Sequence, residues 1–353
     1  MNFCSDNTTG AAPEILAALA AANDGAAMPY GNDAFTRRVE ARIAEVFETE
    51  ADVFLVATGT AANALSLSVM TPPFGAVFCH ARSHIQCNEC GAPEFYSGGA
   101  KLVPLPGDDG RIAAGDLLAA LAAHDPGVHH VQPAAVSLSQ STEAGTVYAV
   151  DAVRAIADVA HAHGLKVHMD GARFANALVA LGCSPADATW RAGVDALSLG
   201  ASKNGAFAAE AVVLFDRALA KSFAYRRKRG GHLLSKGRFL AVQFEAYFAD
   251  GLWLKNAAHA NAMAARLADG LKGVPGAALR HPVQANEVFI SLPEPVIAGL
   301  LADGFDFHRW GAETASVVRL VTAFNTREED VEALIDAAGG HAKVGARKMT
   351  GAQ

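Results

Sequence analysis

The sequence predicts an α/β protein: a large, mostly parallel, doubly wound sheet followed by a smaller C-terminal α+β domain. Two observations lead there. From about residue 13 to 215, short apolar runs alternate with helical patterns, and such alternation builds parallel sheets covered by helices. After residue 250 the rhythm changes to one long helical pattern, two apolar runs and a last helix. The expected division is 1–250 for the large domain, with an N-terminal arm, and 251–353 for the small one. A chain of 353 residues with 51% apolar side chains has material for two cores.

Each element has its own signal. PEILAALAAAN starts a helix at Pro13, where a missing N–H costs nothing. Residues 35–49 place Phe35, Val39, Ile43 and Val46 on one helical face. VFLVAT (53–58) reads as a buried strand, and TAANALSLSVM (60–70) as the helix that follows it. AVFCH (76–80) and KLVPLP (101–106) are further strands, then a helix over 115–123 and a strand over 134–139. A helix over 150–163 ends before Gly164, a residue suited to the left-handed position after a helix. LKVHMD (165–170), VDALSLG (194–200) and EAVVLF (210–215) complete the large sheet. Residues 217–250 turn basic and then helical, and 253–272 form a long helix. NEVFISL, a helix over 294–303, VVRLVTAF and EEDVEALIDAAG make the small domain. The small-residue tail after Gly339 is expected to fray.

Composition excludes several classes of function. The net charge is −7 and the pI about 6.0, which favours neither nucleic acid nor an anionic membrane as a partner. No apolar run reaches the roughly 18 residues of a membrane span. MNFCSDNTTG lacks the basic and apolar segments of a signal peptide, so a cytoplasmic location is expected. Five cysteines, an odd number, point to reduced thiols. His80, His84, Cys87 and Cys90 have metal-ligand spacing, but no second ligand pair follows, so no metal is expected.

In doubly wound sheets ligands bind beyond the carboxyl ends of the strands. Thr58-Gly59-Thr60, Asp170 and Lys203 all fall at such ends. A lysine placed there, among small neighbours in SLGASKNGA, can form a Schiff base with an aldehyde cofactor. It can equally be a solvated charge. A carboxylate at Asp170 can keep a pyridine nitrogen protonated, or merely cap a helix. Arg173 is placed to reach a cofactor oxygen or a substrate carboxylate. Gly59 and Thr60 open a helix whose free amides attract phosphate. His84 is a stacking plate and a proton carrier if a pyridine ring lies nearby. Arg319, inside an apolar strand, needs an anionic partner, either a substrate carboxylate or an internal salt bridge. Arg226, Arg227, Lys228, Arg229 and Lys236 form a basic cluster that is either a solvated face or a phosphate contact. His124, His129, His130, His161, His163 and His168 read as helix-end and loop histidines.

Taken together the strings SDNTTG (5–10), PYGND (29–33), TGTAAN (58–63), HIQCNECGAPE (84–94), STEAGTVY (141–148), HMDGARFANA (168–177), SLGASKNGA (198–206), RRKRGGHLLSKGRFLAVQF (226–244) and RLVTAFNT (319–326) resemble the low-specificity L-threonine aldolases. These are fold type I, aspartate-aminotransferase-like enzymes of pyridoxal 5′-phosphate. The resemblance spans most of the chain. It implies a seven-stranded large sheet and cleavage of L-threonine, L-allo-threonine and related β-hydroxy-α-amino acids to glycine and an aldehyde. Other reactions of the same scaffold, β-elimination, transamination or racemisation, are the alternative, since scaffold does not fix chemistry.

The resemblance also implies roles. Lys203 carries the Schiff base, Asp170 pairs with the pyridine nitrogen, Gly59 and Thr60 hold the phosphate, and His84 stacks on the ring. Arg173 sits near the phenolate oxygen and the substrate, and Ser5 and Arg319 bind the substrate carboxylate. Arg229 and Lys236 approach the phosphate across a subunit interface, and Tyr30 reaches a neighbouring site. A homotetramer with sites at the dimer interface is expected. One departure stands out. Some relatives carry a histidine in the loop that here reads SQSTEAGT, about where Thr142 stands, and its absence leaves His84 as the candidate base.

Overall fold

The computed structural model describes residues 1–311 and 316–350, the last six of these as backbone. Seven strands form the large sheet: β1 (Asp52–Val56), β2 (Gly75–His80), β3 (Lys101–Leu105), β4 (Gln132–Ser139), β5 (Lys166–Gly171), β6 (Ala196–Gly200) and β7 (Glu210–Leu214). Their order is β1-β7-β6-β5-β4-β2-β3. Strands β2 to β6 pair in parallel, while β7 runs antiparallel to both β6 and β1. One edge of the sheet therefore collects the carboxyl ends of β1, β2, β4, β5 and β6 and the start of β7. Glu210, the first residue of β7, sits between Val56 and Gly200.

The strands are buried because both faces are covered, as parallel sheets require. One face packs on a cluster containing Ile43, Phe47, Leu138, Phe174 and Phe244, the other on one containing Leu65, Val77, Val212 and Phe223. Val39 and Ile43 are buried, with Phe35 and Val46 packed against the same cluster, as the helical periodicity predicts. Gly164 takes φ +76° after the helix Val150–Ala162. Gly200 lets the chain approach the next segment closely, for a Cβ there would stand 2.6 Å from the Ala172 carbonyl oxygen.

A second, antiparallel sheet has the order β10-β11-β9-β8, from β8 (Ala278–Leu279), β9 (Glu287–Ser291), β10 (His308–Arg309) and β11 (Val317–Val321). The arm joins it: Phe3 is buried in its core, and its backbone bonds Asp306 and Val321. The chain then crosses to the large sheet, where the Ala12 N–H donates to the Gly205 carbonyl.

Two expectations change. The last helix runs from Glu328 to Thr350 instead of fraying after Gly339. It is held by His341, whose ring bonds Asp303 at 2.7 Å and packs where Gly299 leaves no room for a Cβ. His168 is no loop histidine: it lies inside β5, fully buried between Ser137 and Ser198. Burial pushes its imidazole down to about 4, so it sits neutral in the core.

Candidate active site

A cavity of about 350 Å³ opens at the collecting edge of the large sheet. Thr58, Gly59 and Thr60 enter it after β1, His84 after β2, Glu143 after β4, Asp170 at the end of β5, and Lys203 after β6. Asn7 of the arm closes one side. Lys203, Asp170, His84, Gly59 and Thr60, singled out in the sequence, are thus brought together.

Asp170 is held firmly. Its Oδ2 accepts from Asn63 Nδ2 at 2.9 Å and its Oδ1 from the Ala172 N–H at 3.0 Å. The same amide of Asn63 donates to Glu89 at 2.8 Å, and Glu89 lies 2.8 Å from His84 Nδ1. Asn63 projects from the helix Gly59–Met70, so the helix that presents Gly59 and Thr60 also positions Asp170. The hydrogen bond to Glu89 raises the His84 pKa, against the burial that lowers it. Burial raises Glu89 as well, so the pair retains a proton more readily than either group in water. The ligand atoms that converge here are those of His84, Glu89 and Asp170, within 4.8 Å of one another. The His80, His84, Cys87, Cys90 set does not assemble in this way. His80 bonds the Gly107 carbonyl, and Cys87 and Cys90 are exposed.

Gly59 and Thr60 begin their helix behind Thr58, whose hydroxyl accepts the Ala61 N–H at 3.2 Å. Their own N–H groups precede the first helical bonds and point outward, as at any helix start. A Cβ on Gly59 would meet nothing within 4 Å. Lys203 is half-buried in a short turn and makes no side-chain hydrogen bond or ion pair among the described residues.

Arg173 is buried and already paired. It holds Asp6 through two bonds of 2.7 and 3.0 Å and lies 3.2 Å from Glu287. Burial would raise Asp6, but Arg173 and Lys203 outweigh it and hold that carboxyl below its usual value. Burial dominates at Glu287, which is raised. Arg319 donates to the Cys4 carbonyl at 3.0 Å, stacks on Trp310 and lies 4.0 Å from Glu287. Its buried Nε has no partner among the described residues. Ser5 caps the turn Asp6–Thr8, accepting the Asn7 N–H at 3.1 Å. Ser5, within the arm, and Arg319, bonded to it at Cys4, do not line the Lys203 cavity.

Three predicted residues lie elsewhere on their own chain. Arg229 borders another cavity, with Tyr96 and Tyr225. Lys236 is exposed. Tyr30, at φ +61° and 44% exposed, carries the Lys228 ammonium over its ring.

The reading of the sequence missed Asn63, Glu89, Glu143, Glu210, Asp6 and Glu287. Glu143 and Glu210 line the cavity. Burial pushes Glu210 up to about 7, though Ser202 and Lys203 pull it down. Their shared signal was a carboxylate at the end or start of an apolar strand, the rule that found Asp170.

Comparison with known proteins identifies the family. Residues 2–294 match the family model described as beta-eliminating lyase. The low specificity L-threonine aldolase of Pseudomonas aeruginosa is 42% identical over 94% of this chain and 95% of its own. The solved threonine aldolase of Leishmania major superposes with a TM-score of 0.91 at 31% identity, covering 97% of this chain and 99% of that one. An aspartate aminotransferase from Rhodobacter sphaeroides shares the fold at a TM-score of 0.69 and 19% identity, covering 98% of this chain and 93% of that one.

Proposed function

This chain belongs to the beta-eliminating lyase family and, within it, to the low-specificity L-threonine aldolases; from that premise we propose that it cleaves L-threonine, L-allo-threonine and related β-hydroxy-α-amino acids to glycine and an aldehyde. The cofactor is pyridoxal 5′-phosphate. The observation that carries the reading is the convergence of Lys203, Asp170 and the Gly59–Thr60 amides on one cavity.

The donor set fits that cofactor. Lys203 offers an amine without a competing partner among the described residues, in a cavity of matching chemistry. When bound, the cofactor supplies an aldehyde for that amine and an electron sink for cleavage at Cα. Asp170, its carboxylate fixed by Asn63, holds a proton on the pyridine nitrogen. Gly59 and Thr60 donate N–H groups to the phosphate. His84, steadied by Glu89, stacks on the ring.

Arg319, bonded to the Cys4 carbonyl next to Ser5, is assigned with Ser5 to the substrate carboxylate at the arm. Arg173 is committed to Asp6 and Glu287, so it keeps the arm in place and lends positive potential to the site. Arg229, Lys236 and Tyr30 serve the site of a second copy, in a homotetramer with active sites at a dimer interface. The enzyme works in the cytoplasm. No helix among the described residues is long and apolar enough to cross a membrane.

Lys203→Ala tests the reading. The wild-type protein is expected to take up pyridoxal phosphate with a visible absorption band that glycine shifts, and to release glycine and acetaldehyde from threonine. Borohydride reduction should link the cofactor to Lys203, and Lys203→Ala should lose that adduct and nearly all turnover. A variant that still cleaves threonine would sink the assignment. Pyruvate with ammonia, or a keto acid, in place of acetaldehyde would move the protein to another reaction of the family.

A further inference from the structure

We propose that Glu143 is the catalytic base that takes the proton from the β-hydroxyl of the substrate, a role that rests on the aldolase reading above.

A base for this step must line the cavity and have an acceptor atom to spare. Both carboxylate oxygens of Asp170 are engaged, by Asn63 and by the Ala172 N–H. His84 has one ring nitrogen tied to Glu89. Glu210 lies at the start of β7, between Val56 and Gly200, next to Ser202. Glu143 lines the same cavity, and its carboxylate accepts no hydrogen bond among the described residues. It also bounds a second cavity shared with Arg82, His281 and Trp310. Glu143 therefore borders both the Lys203 site and the open volume beyond it, as a residue that meets the carbon bearing the hydroxyl and its substituent must.

The backbone around Glu143 is fixed although its carboxylate is unbound. The Thr142 N–H donates to the Thr146 carbonyl at 2.9 Å, the Thr146 N–H donates to the Thr142 hydroxyl at 3.3 Å, and the two hydroxyls meet at 2.8 Å. Both hydroxyls also reach the Asp109 carbonyl, at 3.1 and 2.6 Å. Gly145 takes φ +71°, with Glu287 filling the space a Cβ would need. A rigid turn that presents a free acceptor suits a group that must meet a substrate atom. Burial raises the proton affinity of Glu143, against the pull of Lys203, which makes it a stronger base than a carboxylate in water. Asp170 adds to that rise, while His84 and Arg173 oppose it.

The step balances. The hydroxyl proton passes to a Glu143 oxygen, and the O–H electron pair becomes the second C–O bond of the aldehyde. The Cα–Cβ bond breaks with its pair remaining at Cα. One proton then enters at Cα and completes glycine, so the proton lost from oxygen is matched by the proton gained at carbon.

Glu143→Gln and Glu143→Asp are the test, read on three properties. Cofactor affinity follows from the visible spectrum. Exchange of the glycine α-proton in D2O, followed by NMR, needs no β-hydroxyl. Threonine cleavage does. Glu143→Gln should lose about 10²- to 10⁴-fold in kcat for cleavage, with cofactor affinity and glycine exchange within about threefold of wild type. Glu143→Asp should recover part of the loss. Cleavage by Glu143→Gln within about tenfold of wild type overturns the proposal, and so does glycine exchange falling in step with cleavage. Should Glu143→Gln not fold, a selective loss of cleavage in Glu143→Asp supports the role and unchanged cleavage refutes it. A wild-type protein that exchanges glycine but releases no aldehyde from threonine would fail the aldolase reading itself, a result distinct from any outcome in the variants.

Discussion

The floor of the cavity and its rim are built on different principles. On the floor, Asp170 is matched by Asn63 and His84 by Glu89, and behind the lining Arg173 is matched by Asp6 and Glu287, so that among the described residues Lys203 and Glu143 stand free between fixed neighbours. At the rim, Phe207 lines the cavity yet is 72% exposed. Arg229 and Lys236 extend from the surface without reaching the cavity of their own chain. The contrast separates the groups that one chain fixes from those that the proposed association of subunits would have to place. Preorganised charge needs fixed partners, because unpaired charges are costly to bury. The rim carries no such penalty.

The largest blow to the floor is Arg173→Ala. It strands Asp6 without its bonded cation and leaves Glu287 only Arg319, at 4.0 Å, both carboxylates being almost fully buried. Stability should fall by about 3–5 kcal/mol, measured by urea unfolding of the cofactor-free protein at pH 7. The loss should shrink in acid, where the stranded carboxylates protonate. An effect below about 1 kcal/mol would mean that the floor is not held by this network.

Glu210→Gln probes the same floor through pH. Glu210 is raised from 4.5 to about 7, chiefly by burial. A raised carboxyl favours the fold while it is protonated, and that contribution is lost as pH climbs from the unfolded pKa through the folded one. The cofactor-free wild type should therefore lose a few kcal/mol from this group between about pH 4.5 and pH 7. Glu210→Gln should remove that component and be the more stable protein at pH 8. Parallel pH–stability curves for the two proteins would show that Glu210 titrates normally.

The same contrast explains what was legible in the sequence. Lys203, Asp170, Gly59, Thr60 and His84 each follow an apolar run, and the sheet brings the ends of such runs to one edge. Glu143 obeys that rule too, following β4, next to Thr142. Glu210 and Glu287 open apolar strands, a cue available in EAVVLF and NEVFISL. The partnerships were not legible. Asp6 meets Arg173 across 167 residues and Asn63 meets Asp170 across 107, and no local periodicity reports such pairings. The fold was easier because strand and helix patterns are local. The continuation of the last helix depended on a tertiary contact, His341 with Asp303 and Gly299.

The smallest expected effect belongs to the rim. Arg229 ends the helix Ala220–Arg229, beside Phe95 and Tyr225, which are 79% and 72% exposed. An exposed guanidinium has little to offer its own chain, since solvent screens it. Set against a cofactor phosphate in another copy, it becomes a charge-assisted donor whose strength depends on association. Arg229→Ala should therefore leave the folding of the single chain within about 0.5 kcal/mol. It should weaken cofactor binding several-fold, and only at protein concentrations where subunits associate. Titrating pyridoxal phosphate into both proteins over a range of dilutions, with sedimentation to follow assembly, separates the possibilities. Equal affinities at every concentration would confine Arg229 to the solvated surface. A deficit that persists in the monomer would place it at the cavity of its own chain, and the division between a finished floor and a shared rim would have to be redrawn.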